Sequence, residues 1–206
     1  MPHQVIGFHL ILTAYGFWLP NDPRGSWSEF VRAWDLLGFG RATKVSTRRS
    51  LASEEHDREL RLEAKRALSR PPVEFTGVQA REVARGFGEY VTRNDVTVLA
   101  CSILPAHVHL VLGSDERDIR QISRLMKGAA TTALSNVGLH PFAHMPTRRG
   151  TIPSPWTRHE WVCFLYSPED VRRAVRYVEE NPTKEGKRAQ DWSFVTSFDG
   201  DAWLHT

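Results

Sequence analysis

The stretch "VTVLACSILPAHVHLVLG", residues 96–113, reads as two short apolar strands, Val96 to Leu104 and His107 to Gly113, joined at Pro105-Ala106. Runs of this length, rich in β-branched residues and bounded by turn formers, favour a hairpin, expected at the heart of a sheet. Alternation along the second strand sends His107 and His109 to one face and Val108 and Leu110 to the other. Two imidazoles side by side suit a metal ion. The plain structural alternative is a pair of partly exposed histidines hydrogen-bonded at a strand start.

The flanking chain supplies the rest of a sheet. Val5 to Thr13, "VIGFHLILT", has the composition of a buried strand, and Pro20, Asn21, Asp22, Pro23 and Gly25 break the chain soon after it. The Arg-rich, polar region after Ala33 predicts a helix over Ser53 to Ser69, stopped by Pro71 and Pro72, and residues of about 34–75 read as an insertion. A helix over Gly77 to Arg93, with Val78, Val83 and Phe87 as apolar positions, precedes the hairpin. A further helix over Asp115 to Asn136 follows it, through Ile119, Ile122, Leu125, Met126 and Ala130. After a proline-rich loop comes the strand-like "EWVCFLY" and then "SPEDVRRAVRYVEENP". There Ser167 is a good N-cap, Pro168 fits the first helical position, Asp170 completes a variant capping box, and Pro182 is the expected stop, with a tail over about 183–206. The order strand, helix, strand, strand, helix, strand, helix predicts an α+β fold, an antiparallel sheet covered on one face by helices, in one domain over 1–206.

Composition narrows the classes. Apolar residues at 41% and charged residues at 25% belong to a globular chain. The N-terminal apolar run is too short for a membrane span and has no export features, so a cytoplasmic protein without membrane contact is expected. Cys101 and Cys163 match no CxxC spacing and read as reduced thiols. A net charge of +3 permits a polyanionic partner without demanding one.

On the last helix, Val171, Ala174, Val175 and Val178 form an apolar stripe at i, i+3, i+4 and i+7. Tyr177 and Asn181 fall together on one flank of it, a turn apart, with Arg173 a turn before. Taken alone these are a half-buried tyrosine, an amide at a helix end before proline and a solvated arginine. Of the other tyrosines, Tyr15 and Tyr166 have no Asn or Gln one turn on, and Tyr90 has Asn94 four residues on, just past the helix expected over Gly77 to Arg93. Tyr15, beside Phe17 and Trp18, suits either core packing or a platform for stacked bases.

"LPAHVHLVLG" (104–113) and "YVEENPTKEGK" (177–187) resemble the two signatures of the single-tyrosine HUH transposases, named for a His, hydrophobic, His run. The nearer likeness is to the REP-associated tyrosine transposases of the IS200-like group, which pair a "PxHVHLL"-like strand with a "YxxxNPxxxG" helix. "FHLILTAYGFWLPNDPRGSWS" also resembles the opening of one transposase-like subgroup. The resemblance runs from Val5 to Lys187, with residues 34–75 the least familiar part. It implies a ferredoxin-like fold, His107 and His109 as metal ligands, Tyr177 as nucleophile and Asn181 as third protein ligand, a position held by glutamine in some relatives. Ala106 departs from the pattern, where an acid or amide is frequent.

The activity so implied is metal-dependent cleavage and strand transfer of single-stranded or hairpin DNA through a covalent 5′-phosphotyrosine, by a monomer or homodimer using Mg²⁺ or Mn²⁺. A divalent cation offsets charge on the phosphate, and mixed imidazole and amide ligands accept either metal. A phosphotyrosyl link conserves bond energy for rejoining, which strand transfer requires and hydrolysis does not. Arg173, Lys127, Arg148 and Arg149 are candidate DNA contacts, against the alternative of solvated surface charge. The rival classes are a catalytically silent nucleic-acid-binding module and a metal-dependent small-molecule hydrolase. For the hydrolase, His140, His144 and His159 offer no clear ligand spacing.

Overall fold

The structure, a computed structural model, describes residues 4–22, 31, 34–42 and 57–198. The chain divides into two compact units, Ala14–Glu74 and the combination of Met1–Thr13 with Phe75–Thr206.

The larger unit is built on four strands: β1 (Gly7–Thr13), β2 (Val98–Ile103), β3 (His107–Gly113) and β4 (Trp161–Leu165). They form one antiparallel sheet in the order β2-β3-β1-β4. With α2 (Gly77–Asn94) between β1 and β2, and α3 (Ile119–Asn136) between β3 and β4, this is the βαββαβ arrangement of a ferredoxin-like fold. The hairpin of residues 96–113 is therefore only half central. Strand β3 lies between two partners, while β2 is an edge with a bulge between Val98 and Ala100. That edge is not bare: the Gln190 side chain accepts from the Ile103 N–H at 2.7 Å and donates to the Ile103 carbonyl at 2.8 Å. The Thr196 N–H donates to the Val98 carbonyl at 2.8 Å. The segment expected as a tail thus occupies hydrogen-bonding groups that an open edge would leave for another chain.

Helix α2 starts on a full capping box, the Thr76 hydroxyl and Gln79 side chain each meeting the other's backbone N–H. It lies directly on α3, because Gly86 has no side chain: a Cβ there would come within 2.7 Å of the Ala129 oxygen and Ala130 Cα. Val83 and Phe87 are buried as expected, whereas Val78 and Leu125 are exposed. This pair covers the sheet face of Leu10, Leu12, Val108 and Leu110, all fully buried.

The expectation of helices on one face holds for α2 and α3 and fails for α4 (Pro168–Lys184), which lies on the opposite face. Its Val171, Ala174 and Val178 are buried against Leu99, Ala100, Val111 and Leu165. The reason is parity: Val111 shares its face with His107 and His109, opposite to Leu110. Pro182 also does not stop α4, which runs to Lys184 with the proline inside it. The end comes at Gly186, with φ of 68°. The Lys187 N–H reaches the Pro182 carbonyl at 2.8 Å and the Gly186 N–H the Thr183 carbonyl at 3.0 Å, a Schellman closure. The proline removes one i→i−4 donor, that facing the Val178 carbonyl, and the Schellman bonds that follow it close the helix.

In the smaller unit, a short 3-10 helix (Trp34–Phe39) and α1 (Arg58–Arg66) gather Leu19, Leu36 and Ala64 into a core of their own. Helix α1 is the described part of the helix expected over Ser53 to Ser69. It is capped by Asp57, and residues 53–56 lie outside the described residues, as do Pro23 and Gly25. Phe17 is buried and meets Trp18 edge-on at 4.7 Å, and the Tyr15 hydroxyl lies 3.1 Å from the Ser69 hydroxyl.

Candidate active site

Strand β3 places His107 and His109 on one face, as alternation requires, with ring centroids 4.9 Å apart and at a near-perpendicular angle. Helix α4 lies over that face and delivers the Tyr177 ring to 5.5 Å from the His109 ring. Tyr177 is 44% exposed, so its face toward the histidines is covered while part of the ring remains open to a large substrate. Asn181, one turn on, is buried, and its Nδ2 has no hydrogen-bond partner among the described residues. A buried amide without a partner is costly unless something else satisfies the group. The Ser102 hydroxyl, on the strand position paired with His109, is in the same condition.

A third imidazole completes the cluster. His9 of β1 reaches across the sheet so that its Nε2 lies 3.0 Å from His109 Nδ1. Its ring also stands 5.7 Å from that of Tyr177. Loss of hydration on burial pushes the His9 pKa down to about 4. His109 is held well below the usual imidazole range, first by burial and then by the neighbouring His9 and His107. Both rings are therefore neutral at physiological pH, the state in which an imidazole nitrogen can bind a cation.

Two groups beyond Pro182 also belong here. The Glu185 carboxylate stands 3.8 Å from His107 Nε2, and the Lys184 ammonium lies 5.4 Å from the Tyr177 ring centroid while pairing with Glu180 at 2.8 Å. Lys184 follows Tyr177 by seven residues and Glu185 follows Asn181 by four, both same-face spacings. A helix taken to stop at Pro182 hides them; Gly186 was the signal that it continues. His9 had no such signal, because only the β1 to β3 register brings it to His109.

The candidate DNA contacts separate. Lys127 is buried, and its ammonium donates to the carbonyls of Thr157 and Arg158 at 3.3 Å and to Glu160 at 3.2 Å. It is a saturated structural cation, unfit to meet a phosphate; an ammonium at a buried helix position must find such partners. Arg173 is exposed with Asp170 at 4.0 Å, and Arg148 and Arg149 are exposed in the turn closed by Thr147 and Thr151. Of the histidines in the proline-rich stretch, His140 is not a surface loop residue: it is buried, and its Nδ1 accepts from the Phe142 N–H at 3.1 Å.

The donor set fits a hard divalent cation with incomplete protein ligation. Among the described residues no three His, Cys, Asp or Glu side chains stand together as a metal site on their own. Two imidazoles and one amide oxygen would leave the remaining positions to water and substrate. The unpartnered Asn181 Nδ2 is a hydrogen-bond donor, so it favours an acceptor such as a phosphate oxygen at this place, while a cation would be met by the amide oxygen. No described helix is long and apolar enough to cross a membrane.

Comparison with solved structures finds similarity to a REP-associated tyrosine transposase bound to a REP hairpin, at 14% identity over 94% of this chain and 78% of the other, with a TM-score of 0.48. It also finds a protein from Deinococcus radiodurans R1 provisionally assigned as a transposase, at 15% identity over 91% of this chain and 94% of the other, with a TM-score of 0.37. No family model and no curated protein matches the chain.

Proposed function

We propose that the chain is a single-tyrosine HUH enzyme that cleaves and rejoins single-stranded DNA, hairpin DNA above all. The observation that carries this is the convergence of Tyr177 on the His107 and His109 pair, from an element far away in sequence. A nucleic-acid-binding module has no need of a half-exposed phenol set against two imidazoles.

In this reading the Tyr177 oxygen attacks a backbone phosphorus, and its phenolic proton passes to water. The bond from phosphorus to the 3′ oxygen breaks, that oxygen takes a proton from water, and the downstream strand remains joined through a 5′-phosphotyrosine. Attack by a second 3′-hydroxyl reverses the step on a new strand and returns the phenol. His107, His109 and Asn181 would hold Mg²⁺ or Mn²⁺, which when bound offsets phosphate charge as a Lewis acid. Burial keeps His109 a neutral donor, and Asn181 contributes an uncharged oxygen. The exposed Arg173, Arg148 and Arg149 suit the strand backbone.

The test is the covalent product. Incubated with a labelled single-stranded hairpin oligonucleotide and Mn²⁺, the protein should give a band in a denaturing gel carrying label from the 3′ side of the cut. Tyr177→Phe, which deletes one oxygen and keeps the ring, should abolish the band and preserve DNA binding. Tyr15→Phe, Tyr90→Phe and Tyr166→Phe should retain it. An adduct surviving in Tyr177→Phe would refute the nucleophile, and binding without any adduct would make the chain a silent binding module.

A further inference from the structure

His107, His109, Tyr177 and Asn181 do not account for His9, which sits in the same cluster. On β1, His9 pairs with Val111, two residues along β3 from His109, so the two rings are diagonal neighbours on one face. The contact is between defined atoms, His9 Nε2 and His109 Nδ1 at 3.0 Å, within hydrogen-bond range for two ring nitrogens.

With one N–H on each ring, a single hydrogen bond between His9 Nε2 and His109 Nδ1 has only two arrangements. Either His109 Nδ1–H donates to the lone pair of His9 Nε2, or His9 Nε2–H donates to His109 Nδ1. In the first, His109 keeps its free lone pair on Nε2; in the second, Nε2 carries the proton and cannot bind a cation. Only the first leaves His109 able to act as a ligand, since its Nδ1 is already taken up by His9. Ligating histidines commonly donate their other nitrogen to an acceptor that fixes ring and tautomer. Here that acceptor is itself an imidazole.

We propose that His9 is a positioning residue that accepts the Nδ1 proton of His109 and so holds its Nε2 toward the cation. The inference rests on the metal-binding role given above to His107 and His109. The surroundings of His107 are of another kind: the Glu185 carboxylate stands on its Nε2 side, at 3.8 Å. The two ligands are therefore unequal, His109 oriented by an imidazole of the sheet and His107 placed beside a carboxylate from the end of α4.

Two measurements test this without turnover. In metal-free protein with ¹⁵N-labelled histidine, His109 should show a protonated Nδ1 and an unprotonated Nε2; the opposite tautomer in the intact protein would overturn the proposal before any variant is made. Mn²⁺ affinity, read by the loss of the free-ion paramagnetic resonance signal, should then fall about 10- to 100-fold in His9→Phe, which keeps a ring and removes the acceptor. His9→Gln, whose carbonyl can accept the same proton, should recover most of the loss. Unchanged affinity and an unchanged His109 tautomer in a folded His9→Phe would refute the positioning role. If the intact protein bound Mn²⁺ no better than His107→Ala, the metal site itself would fail, leaving His9 nothing to position; the tautomer of His109 would show separately whether the bond between the two rings exists.

Discussion

His107 and His109 stand two residues apart on one strand face, yet their surroundings differ. His109 is 4% exposed and has the rings of His9, His107 and Tyr177 about it, whereas His107 keeps some access to solvent. Replacing His109 by Ala leaves a gap and strands His9 Nε2 without its partner, so a loss of about 1–3 kcal/mol is expected in urea unfolding. His107→Ala should cost less and is the better probe of metal function. A stability order with His107→Ala the more damaged would contradict this packing. His140 predicts a pH effect away from the site. Burial lowers its pKa, and its Nδ1 accepts from Phe142, so the folded protein prefers the neutral ring. Below about pH 6.5 the unfolded chain takes up a proton that the folded one resists, and stability falls as the pH falls. His140→Gln offers an acceptor that does not titrate; its unfolding free energy should fall less steeply between neutral pH and about pH 5 than that of the native chain.

At the scale of elements, close approaches decide where the helices lie. Gly86 permits α2 to rest on the backbone of α3 at Ala129 and Ala130. Backbone cannot move aside as a flexible side chain can, so Gly86→Ala should force the helices apart and cost about 1–3 kcal/mol, despite the better helix propensity of Ala. Thermal unfolding measures it, and a stabilised variant would show that the helices do not touch there. On the other face, α4 is held by Val171, Ala174 and Val178, and the same stripe that docks it turns Tyr177 toward the histidines. The Schellman closure at Gly186 extends the helix far enough for Lys184 and Glu185 to join the site.

For the whole molecule, a net charge of +3 supplies little general attraction for polyanions, so binding must come from local groups and from shape. We expect a single-stranded oligonucleotide carrying a hairpin to bind better than a blunt duplex of the same composition, because Tyr177 needs a backbone free of a complementary strand. Fluorescence anisotropy at matched salt decides this, and equal affinity would count against the proposed substrate. Replacing Arg148 and Arg149 by Ala should flatten the salt dependence by about 0.7 in log-log slope for each phosphate that an arginine no longer neutralises.

Local order was legible in the residues themselves. Alternation in β3, the caps of α2 and α4 and the apolar stripe of α4 define their elements through period and hydrogen-bonding chemistry, which act over a few neighbours. The pair His107 and His109, and the turn joining Tyr177 to Asn181, follow from those periods alone. Three features needed the tertiary structure. The crossing of α4 to the second face depends on which strand face was already filled by α2 and α3. The burial of Lys127 depends on Glu160 and on carbonyls about thirty residues away along the chain. The contact of His9 with His109 depends on the register of β1 against β3, set by pairing across a hundred residues. Sequence periodicity states which side of its own strand or helix a residue occupies; what faces it there is decided only when distant elements pack.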